Sequence, residues 1–344
     1  MLFSLKHFGT RGVSYIEIEY EYFLDVNFYM LIFILFKNVK LRRKTGQFLN
    51  NRNWYNEKWK MKKFLIKINN KLNIFKNIIK APEKKSKVYF SYDDAINECG
   101  TYEDTDLIKV IAAKGKVFVK SLHQNNFLFN YDFDNSQIKR LVNLISMFDY
   151  QKKELYILDF GGGIGQHFYL IKHLINPKIN LNWIVFETKE LTNECKELGL
   201  ENANLNFVSS FEEIEKFEFD VIYSNYALSY TKDPHKYLQS LLNLDFKKFY
   251  MTNTSIGEFD KEYIIGIQHS DLKTNGVGRE IPEYLGIPNK EIKYPFTIMN
   301  KTYFEKIINQ NSEIIYIVKE QESAYMTLEG DFDLYGILVE KRNK

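Results

Sequence analysis

The sequence predicts an α/β fold whose core is a parallel β-sheet with helices on both faces. A short apolar run, Leu155 to Leu158, is typical of a buried parallel strand. A glycine-rich turn follows it directly, and then a segment with helical spacing. The same alternation of strand and helix repeats further along the chain. This pattern indicates βαβ units, in which a ligand binds at the carboxyl ends of the strands.

Length and composition fit a large folded protein. The chain has 344 residues, 45% of them apolar, with 28 Phe, so it can bury a sizeable core. Its 47 basic and 44 acidic residues leave a net charge of +3, which argues against a nucleic-acid partner. Cys99 and Cys195 lie far apart with no ligand-spaced partner, so we expect no metal site and a reducing, cytoplasmic setting.

Residues 1–60 carry no clear structural pattern. The apolar run at 28–36 is shorter than the roughly 20 residues of a bilayer span, and acids lie close upstream of it. Met61 is followed by two lysines, as at an ordinary bacterial start. Residues 1–60 are therefore interpreted either as an N-terminal extension or as not part of the natural protein.

Residues 61–87 predict a basic amphipathic helix. Eleven lysines lie between Asn56 and Lys87 and only two acids, Glu57 and Glu83. Apolar residues recur there at spacings of three and four, namely Phe64, Leu65, Ile68, Leu72, Phe75 and Ile79. Two interpretations stay open: the stripe docks on the following domain, or residues 61–80 contact an anionic membrane surface.

Residues 88–150 predict a helical lead-in. A first helix ends at a glycine break, and a second runs from Asp104 to about Ala113, with acids near its start that complement the helix dipole. A third helix is predicted from Asn135 to Phe148. These three helices precede the first strand of the predicted sheet.

The remaining elements complete the sheet. Further strands are predicted at 181–187, 204–208, 219–225, 246–252, 313–321 and 334–341. Helices are predicted at 189–198, 211–216 and 302–309, the last with Asn300 as its cap. Residues 254–300 are rich in glycine and proline and have weak periodicity, so they are interpreted as a lid-like insertion over an acceptor site.

The turn after the first strand reads LYILDFGGGIGQHF, from Leu155 to Phe168. A dinucleotide-binding GxGxxG would need a third glycine where Gln166 stands, and no GK[ST] follows to make a P-loop. The turn does place Asp159, Gly161, Gly163 and Gly165 at alternating positions. Glycines there allow positive φ and close approach of a ligand.

This DxGxGxG pattern resembles the signature of class I S-adenosylmethionine-dependent methyltransferases. The resemblance implies a Rossmann-like seven-stranded sheet over 151–344 with an antiparallel final strand, and S-adenosyl-L-methionine as cofactor. It implies that Asp159 faces the amino-acid portion of that ligand and that Glu187, 22 residues after Gly165, accepts the ribose hydroxyls. It also places Asn225 at the amino-acid end of the ligand, and Ser209, where Asp is common, beside the adenine.

Several segments are similar to a family of methyltransferases often encoded among bacterial surface-polysaccharide genes. They are SYDDAINECGTYED, LDFGGGIG, FDVIYSNYALSYTKDPHKYL, IGIQHS and YPF. The resemblance implies O-methylation of a sugar or sugar-linked intermediate, with a small-molecule or glycan-linked acceptor. The alternatives are a non-catalytic S-adenosylmethionine-binding module and, against the evidence of Gln166, a nicotinamide oxidoreductase. His269 and His167 are candidates for a catalytic base, of which His269 is favoured because His167 is expected on the first helix near the cofactor. Tyr226 and Tyr230 either line the methyl channel or, as favoured here, are packing residues.

Overall fold

The computed structural model describes residues 6–10, 13–17, 87–122, 135–148, 152–278, 280–326 and 331–342. The chain divides into two compact units, Met1–Ala81 and Pro82–Lys344. In the first unit, β1 (Lys6–Thr10) and β2 (Val13–Glu17) form an antiparallel pair. Residues 61–86 of the predicted basic helix lie outside the described residues, as does most of the predicted extension at 1–60.

The second unit is organised around a mixed β-sheet. Seven strands follow one another across it in the order β10, β11, β7, β6, β3, β4, β5. Their bounds are β3 (Glu154–Phe160), β4 (Asn180–Phe186), β5 (Leu205–Val208), β6 (Glu218–Asn225), β7 (Asp245–Gly257), β10 (Ser312–Met326) and β11 (Asp331–Lys341). The first five in chain order are parallel, whereas β11 runs antiparallel to both β7 and β10. The predicted Rossmann-like seven-stranded sheet with an antiparallel final strand is confirmed.

Helices cover both faces of this sheet. They are α1 (Tyr92–Ile96), α2 (Thr105–Leu122), α3 (Asn135–Met147), α4 (Gln166–Leu174), α5 (Lys189–Glu197), α6 (Pro234–Asn243) and α7 (Lys301–Ile308). Successive side chains of a strand point to opposite faces of the sheet, so β3 contributes residues to two separate hydrophobic cores. Leu155 and Ile157 join the core that includes residues of α2 to α5, and Leu158 and Phe160 join the core that includes residues of α6 and α7.

Helix α2 is longer than the sequence predicts. Asp104 caps it, because its Oδ1 accepts hydrogen bonds from the backbone N–H groups of Asp106 and Leu107 at 2.9 and 3.0 Å. The predicted end at about Ala113 is wrong, since the helix continues through Gly115. A Cβ at Gly115 would lie 2.7 Å from the Ile164 side chain. This glycine therefore lets α2 pack closely on the glycine-rich turn.

The segment 254–300 contains more regular structure than its sequence suggests. Residues 254–257 continue β7, and an antiparallel hairpin follows, formed by β8 (Tyr263–Asp271) and β9 (Glu291–Asn300). Gly266 and Pro295 lie within these strands and interrupt the alternating pattern, which explains the weak periodicity. The lid role of this segment stays a prediction.

Two contacts fix the position of the hairpin. At its end, Asn300 caps α7 as predicted, accepting from the N–H groups of Thr302 and Tyr303 at 2.8 and 3.2 Å. Lys114 of α2 is only 3% exposed, and its Nζ donates to the carbonyls of Lys273 and Asn275 at 2.8 and 2.6 Å. The connection between β8 and β9 is thereby held on helix α2.

Over the described residues, no helix is both long and apolar enough to cross a membrane.

Candidate functional site

The glycine-rich turn joins β3 to α4 at the carboxyl edge of the sheet. Gly161, Gly163 and Gly165 have φ values of 69°, 59° and 75°, a region that side chains with a Cβ rarely adopt. The turn is tied to the sheet by the Gly161 N–H, which donates to the carbonyl of Phe186 on β4 at 2.8 Å. The predicted spacing of glycines therefore matches the backbone conformation that the turn needs.

The glycines differ in what surrounds them. A Cβ at Gly161 would lie 2.2 Å from the Ala227 side chain, and one at Gly165 would lie 2.9 Å from Leu205. These two glycines are required by packing within the protein. A Cβ at Gly163 would meet only the flexible end of Gln166, at 3.3 Å. Gly163 thus presents bare backbone to space that the protein does not fill.

Asp159 is the penultimate residue of β3, just before the turn, and is fully buried. Its Oδ2 accepts a hydrogen bond from Trp183 Nε1 at 3.1 Å and lies 3.2 Å from His167 Nδ1. Its Oδ1 is buried and has no hydrogen-bond partner among the described residues. Buried polar atoms without a partner are rare, so this oxygen is a candidate acceptor for a ligand donor.

Glu187 follows β4 and faces the turn from the neighbouring strand. Its Oε1 accepts from the Gly163 N–H at 2.9 Å, and its Oε2 accepts from the Thr188 N–H at 3.0 Å. Burial raises the pKa of this carboxyl to about 7, although the two N–H groups oppose the shift. Each carboxylate oxygen keeps a second lone pair for a further donor.

Asn225 lies at the end of β6, where its side chain is held from β7. Its Oδ1 accepts from Thr252 Oγ1 at 3.0 Å and from Asn253 Nδ2 at 2.9 Å. With the carbonyl oxygen so engaged, the Asn225 amide nitrogen is the group left to donate to a ligand. Two residues beside it have a positive φ: Tyr226, which follows β6, at 61°, and Asn253, within β7, at 49°. Strained backbone of this kind clusters at functional sites.

A partly buried ion pair between α3 and β10 supports Asn253. The Asn253 N–H donates to Glu320 Oε2 at 2.6 Å, and Glu320 Oε1 pairs with Arg140 of α3. The Glu320 side chain is 5% exposed, and Arg140 Nε also donates to Tyr250 Oη at 2.6 Å. Glu320 therefore fixes the strained peptide that orients Asn225. The sequence gives no signal for this link, because β10 meets β7 only through the folded sheet.

Ser209 follows β5, beside the same edge of the sheet. The backbone N–H groups of Ser209 and Ser210 both donate to Glu213 Oε1 at 3.1 Å. This arrangement shapes the turn without using the Ser209 hydroxyl. The structure thus brings Asp159, Gly163, Glu187, Ser209 and Asn225 to the carboxyl edge of the parallel strands, as the βαβ pattern predicts; their binding roles stay predictions.

A group of three tyrosines, Tyr102, Tyr230 and Tyr294, lies beside Glu187. The Tyr102 and Tyr230 rings stack with centroids 5.2 Å apart, and Tyr294 meets both edge-on. Burial, reinforced by the Glu187 charge, raises the pKa of the Tyr102 hydroxyl above its usual range. The Tyr230 hydroxyl donates to Gln268 of β8 at 3.0 Å. Sequence reasoning missed Tyr102, because it precedes α2 and is distant in the chain.

His269 lies apart from this group. Its side chain is 56% exposed, and its Nδ1 lies 3.0 Å from Glu291 Oε1, itself exposed. Neighbouring residues of a strand face opposite ways, so His269 points away from the side on which Gln268 meets Tyr230. Its catalytic role stays a prediction. His167 lies in the first turn of α4 and is buried against Asp159 and Tyr223, close to the proposed ligand site.

The described residues contain no group of three or more His, Cys, Asp or Glu side chains placed to hold a metal ion.

Comparison with known proteins finds likenesses among solved structures only. No protein-family model matches the chain, and no curated protein matches it. A crystal structure of an S-adenosylmethionine-dependent methyltransferase from Clostridium acetobutylicum ATCC 824 has 14% identity and a TM-score of 0.40, over 66% of this chain and 100% of that one. The amino pentose methyltransferase CalS10 from Micromonospora echinaspora, solved with bound SAM, has 10% identity and a TM-score of 0.36, over 64% and 96%.

Another likeness is to a protein with a different reaction. The [4+2]-cyclase SpnF has 10% identity and a TM-score of 0.39 over 76% of this chain and 99% of that one. Because these identities and TM-scores are low, the function proposed below rests on the residues of this chain.

Proposed function

We propose that this chain is an S-adenosyl-L-methionine-dependent methyltransferase. One observation carries the proposal: Gly163 exposes bare backbone at the carboxyl edge of the sheet, between Glu187 and the buried Asp159. Of the three positive-φ glycines in this turn, it is the one that no packed neighbour requires. The positive φ already requires glycine at 163, and the open space beside it leaves room for a ligand to lie flat against the turn.

The donor groups around Gly163 fit each part of that ligand. The unpartnered Asp159 Oδ1 is a suitable acceptor for the ammonium group. The Asn225 amide nitrogen is a suitable donor to the carboxylate, because its oxygen is already engaged. Glu187 would accept the ribose hydroxyls, and Ser209 would lie beside the adenine. Glu187 would equally suit the ribose of a dinucleotide, so the case against that ligand rests on Gln166, where its fingerprint needs a third glycine.

The ligand, when bound, supplies an activated methyl group. The protein therefore needs mainly to hold an acceptor close and aligned, which can lower a barrier by about 7–11 kcal/mol. Tyr102 and Tyr230 of the tyrosine group are partly exposed, and they would give an aromatic surface to the C–H groups of an acceptor. We therefore propose a sugar or sugar-linked acceptor, methylated on oxygen in surface-polysaccharide biosynthesis, in keeping with the sequence resemblance.

The test is turnover of S-adenosylmethionine to S-adenosylhomocysteine in the presence of a panel of nucleotide sugars. We expect product to form with at least one sugar, and to be reduced when Tyr102→Ala removes one face of the tyrosine group. Tyr284→Ala, at an exposed tyrosine outside that group, is the matched control. Turnover with amine acceptors but with no sugar would contradict the sugar assignment.

A non-catalytic S-adenosylmethionine-binding module is the second candidate. The exposure of His269 favours it, because this candidate base points away from the side of β8 on which Gln268 meets Tyr230 of the tyrosine group. In that case calorimetry would detect binding of S-adenosylmethionine, while no acceptor would give S-adenosylhomocysteine. Methyl transfer to any acceptor would exclude this candidate.

A further inference from the structure

Two buried side chains converge on one oxygen of Asp159. Trp183 Nε1 and His167 Nδ1 both lie within hydrogen-bond distance of Oδ2, at 3.1 and 3.2 Å. Trp183 is fully buried, as is Asp159, and His167 is 6% exposed. A carboxylate only accepts hydrogen bonds, so the contact requires a proton on His167 Nδ1. Both donors therefore hold Oδ2 and leave Oδ1 to another group.

The glycine-rich turn covers the same carboxyl group. A Cβ at Gly162 would lie 2.5 Å from Asp159 Cγ and 2.6 Å from its Oδ2. Unlike Gly161 and Gly163, Gly162 does not have a positive φ, so its backbone conformation does not require glycine. The glycine is required instead by its contact with the Asp159 carboxyl group. This contact and the two donors together fix the orientation of the carboxylate.

The support for Asp159 extends to Asn225 through Tyr223, which is fully buried. The His167 ring meets the Tyr223 ring edge-on, with centroids 5.1 Å apart. The Tyr223 hydroxyl lies 3.4 Å from Thr252 Oγ1, which donates to Asn225 Oδ1 at 3.0 Å. The groups proposed to bind the ammonium and the carboxylate of the ligand are thus held by one continuous set of contacts.

The orientation of this carboxylate matters because Asp159 Oδ1 is buried and has no hydrogen-bond partner among the described residues. A buried charged oxygen without a partner is costly, and a ligand ammonium group would relieve that cost. We infer, on the basis of the function proposed above, that Trp183 and His167 are positioning residues for this contact. By holding Oδ2 they keep Oδ1 directed to the ammonium group, so the site selects ligands that carry the amino-acid portion of S-adenosylmethionine.

Isothermal titration of the full chain with two nucleosides tests this inference. S-adenosylhomocysteine carries the amino-acid portion, whereas methylthioadenosine has the same adenosine and thioether sulfur and lacks that portion. Trp183→Phe and His167→Leu should each weaken binding of S-adenosylhomocysteine about 2–12-fold, because the ligand must then order a carboxylate that is free to rotate. Their affinity for methylthioadenosine should equal that of the wild type. His167→Asn should restore binding of S-adenosylhomocysteine, since its amide N–H can replace the Nδ1–H donor.

Folding effects can be separated from the loss of positioning. Phe249→Leu is the packing control, because Phe249 is fully buried in the core that includes residues of α6 and α7, whereas Trp183 belongs to the other core. It should lower the melting temperature and leave the ratio of the two affinities unchanged. In an Asp159→Asn background, Trp183→Phe should cause no further loss, because both changes act on one contact. Thermal melting checks that each variant folds, and the two His167 variants decide the question if Trp183→Phe does not.

The outcomes distinguish this inference from the proposed function. Equal losses for both nucleosides in Trp183→Phe and His167→Leu, or no loss for either, would overturn the positioning role while the proposed function stands. Wild-type protein that binds methylthioadenosine as tightly as S-adenosylhomocysteine would overturn it too. Failure of the wild-type chain to bind either nucleoside would overturn the proposed function, and this inference with it.

Discussion

The substitution Gly163→Ala isolates the contact between the turn and its ligand. The new Cβ would meet only the end of the Gln166 side chain, so the protein should still fold. A Cβ at φ 59° costs about 1–2 kcal/mol, which lowers the melting temperature by about 2–8 °C. The methyl group also occupies the space where the ligand would lie. Overpacking of this kind costs about 1–3 kcal/mol, or roughly a 5–150-fold loss of affinity.

Gly199→Ala is the matched control for this substitution. Gly199 has a φ of 69°, and nothing lies within 4 Å of its ideal Cβ position. It should therefore show the same backbone strain with no change in affinity. Isothermal titration with S-adenosylhomocysteine measures both variants against wild type, and thermal melting measures their stability. Equal affinities for Gly163→Ala and wild type, or equal losses in both variants, would refute the role given to Gly163.

Three further substitutions test other parts of the structure. Protonation of Glu187 removes the accepting carboxylate, so the affinity of the wild-type protein for S-adenosylmethionine should fall as the pH drops through about 7. The Glu187→Gln variant should lack this step in titrations across pH. Identical profiles would exclude Glu187 from the contact. Glu320→Gln should destabilise the fold by about 1–3 kcal/mol in urea unfolding, because the acid is lost. It should also raise the dissociation constant for S-adenosylmethionine through its effect on Asn225. An unchanged dissociation constant would remove Glu320 from the site. Burial lowers the pKa of Lys114 from 10.5 to about 8 in the wild-type protein. Between these pH values the folded state binds fewer protons than the unfolded state, so the stability of the wild-type protein should rise with pH there. Lys114→Met tests this. The variant should lose that slope and about 1–3 kcal/mol, and a slope that persists would assign it to another group.

Local sequence patterns predict most of the sheet. The strand at 219–225 is observed as β6 (Glu218–Asn225), and the cap at Asn300 is present, because both depend on neighbouring residues. The end of α2 was missed because Gly115 suits a close packing contact with Ile164 rather than a helix terminus. The hairpin of β8 and β9 was missed because glycine and proline interrupt its alternation.

The candidate site divides in the same way. Asp159, Gly163 and Glu187 belong to a strand, turn and strand that are adjacent in the chain, so spacing alone brings them together. Glu320 and Tyr102 reach the site only through the tertiary fold, and no local pattern marks them. The unequal roles of the glycines also need the structure, since only surrounding atoms show that Gly163 faces open space.

Titration of the wild-type chain with S-adenosylmethionine, in parallel with NADH, tests the central proposal most directly. The proposed site predicts saturable binding of S-adenosylmethionine with one ligand per chain and no binding of NADH. Saturable NADH binding with no heat from S-adenosylmethionine would contradict it.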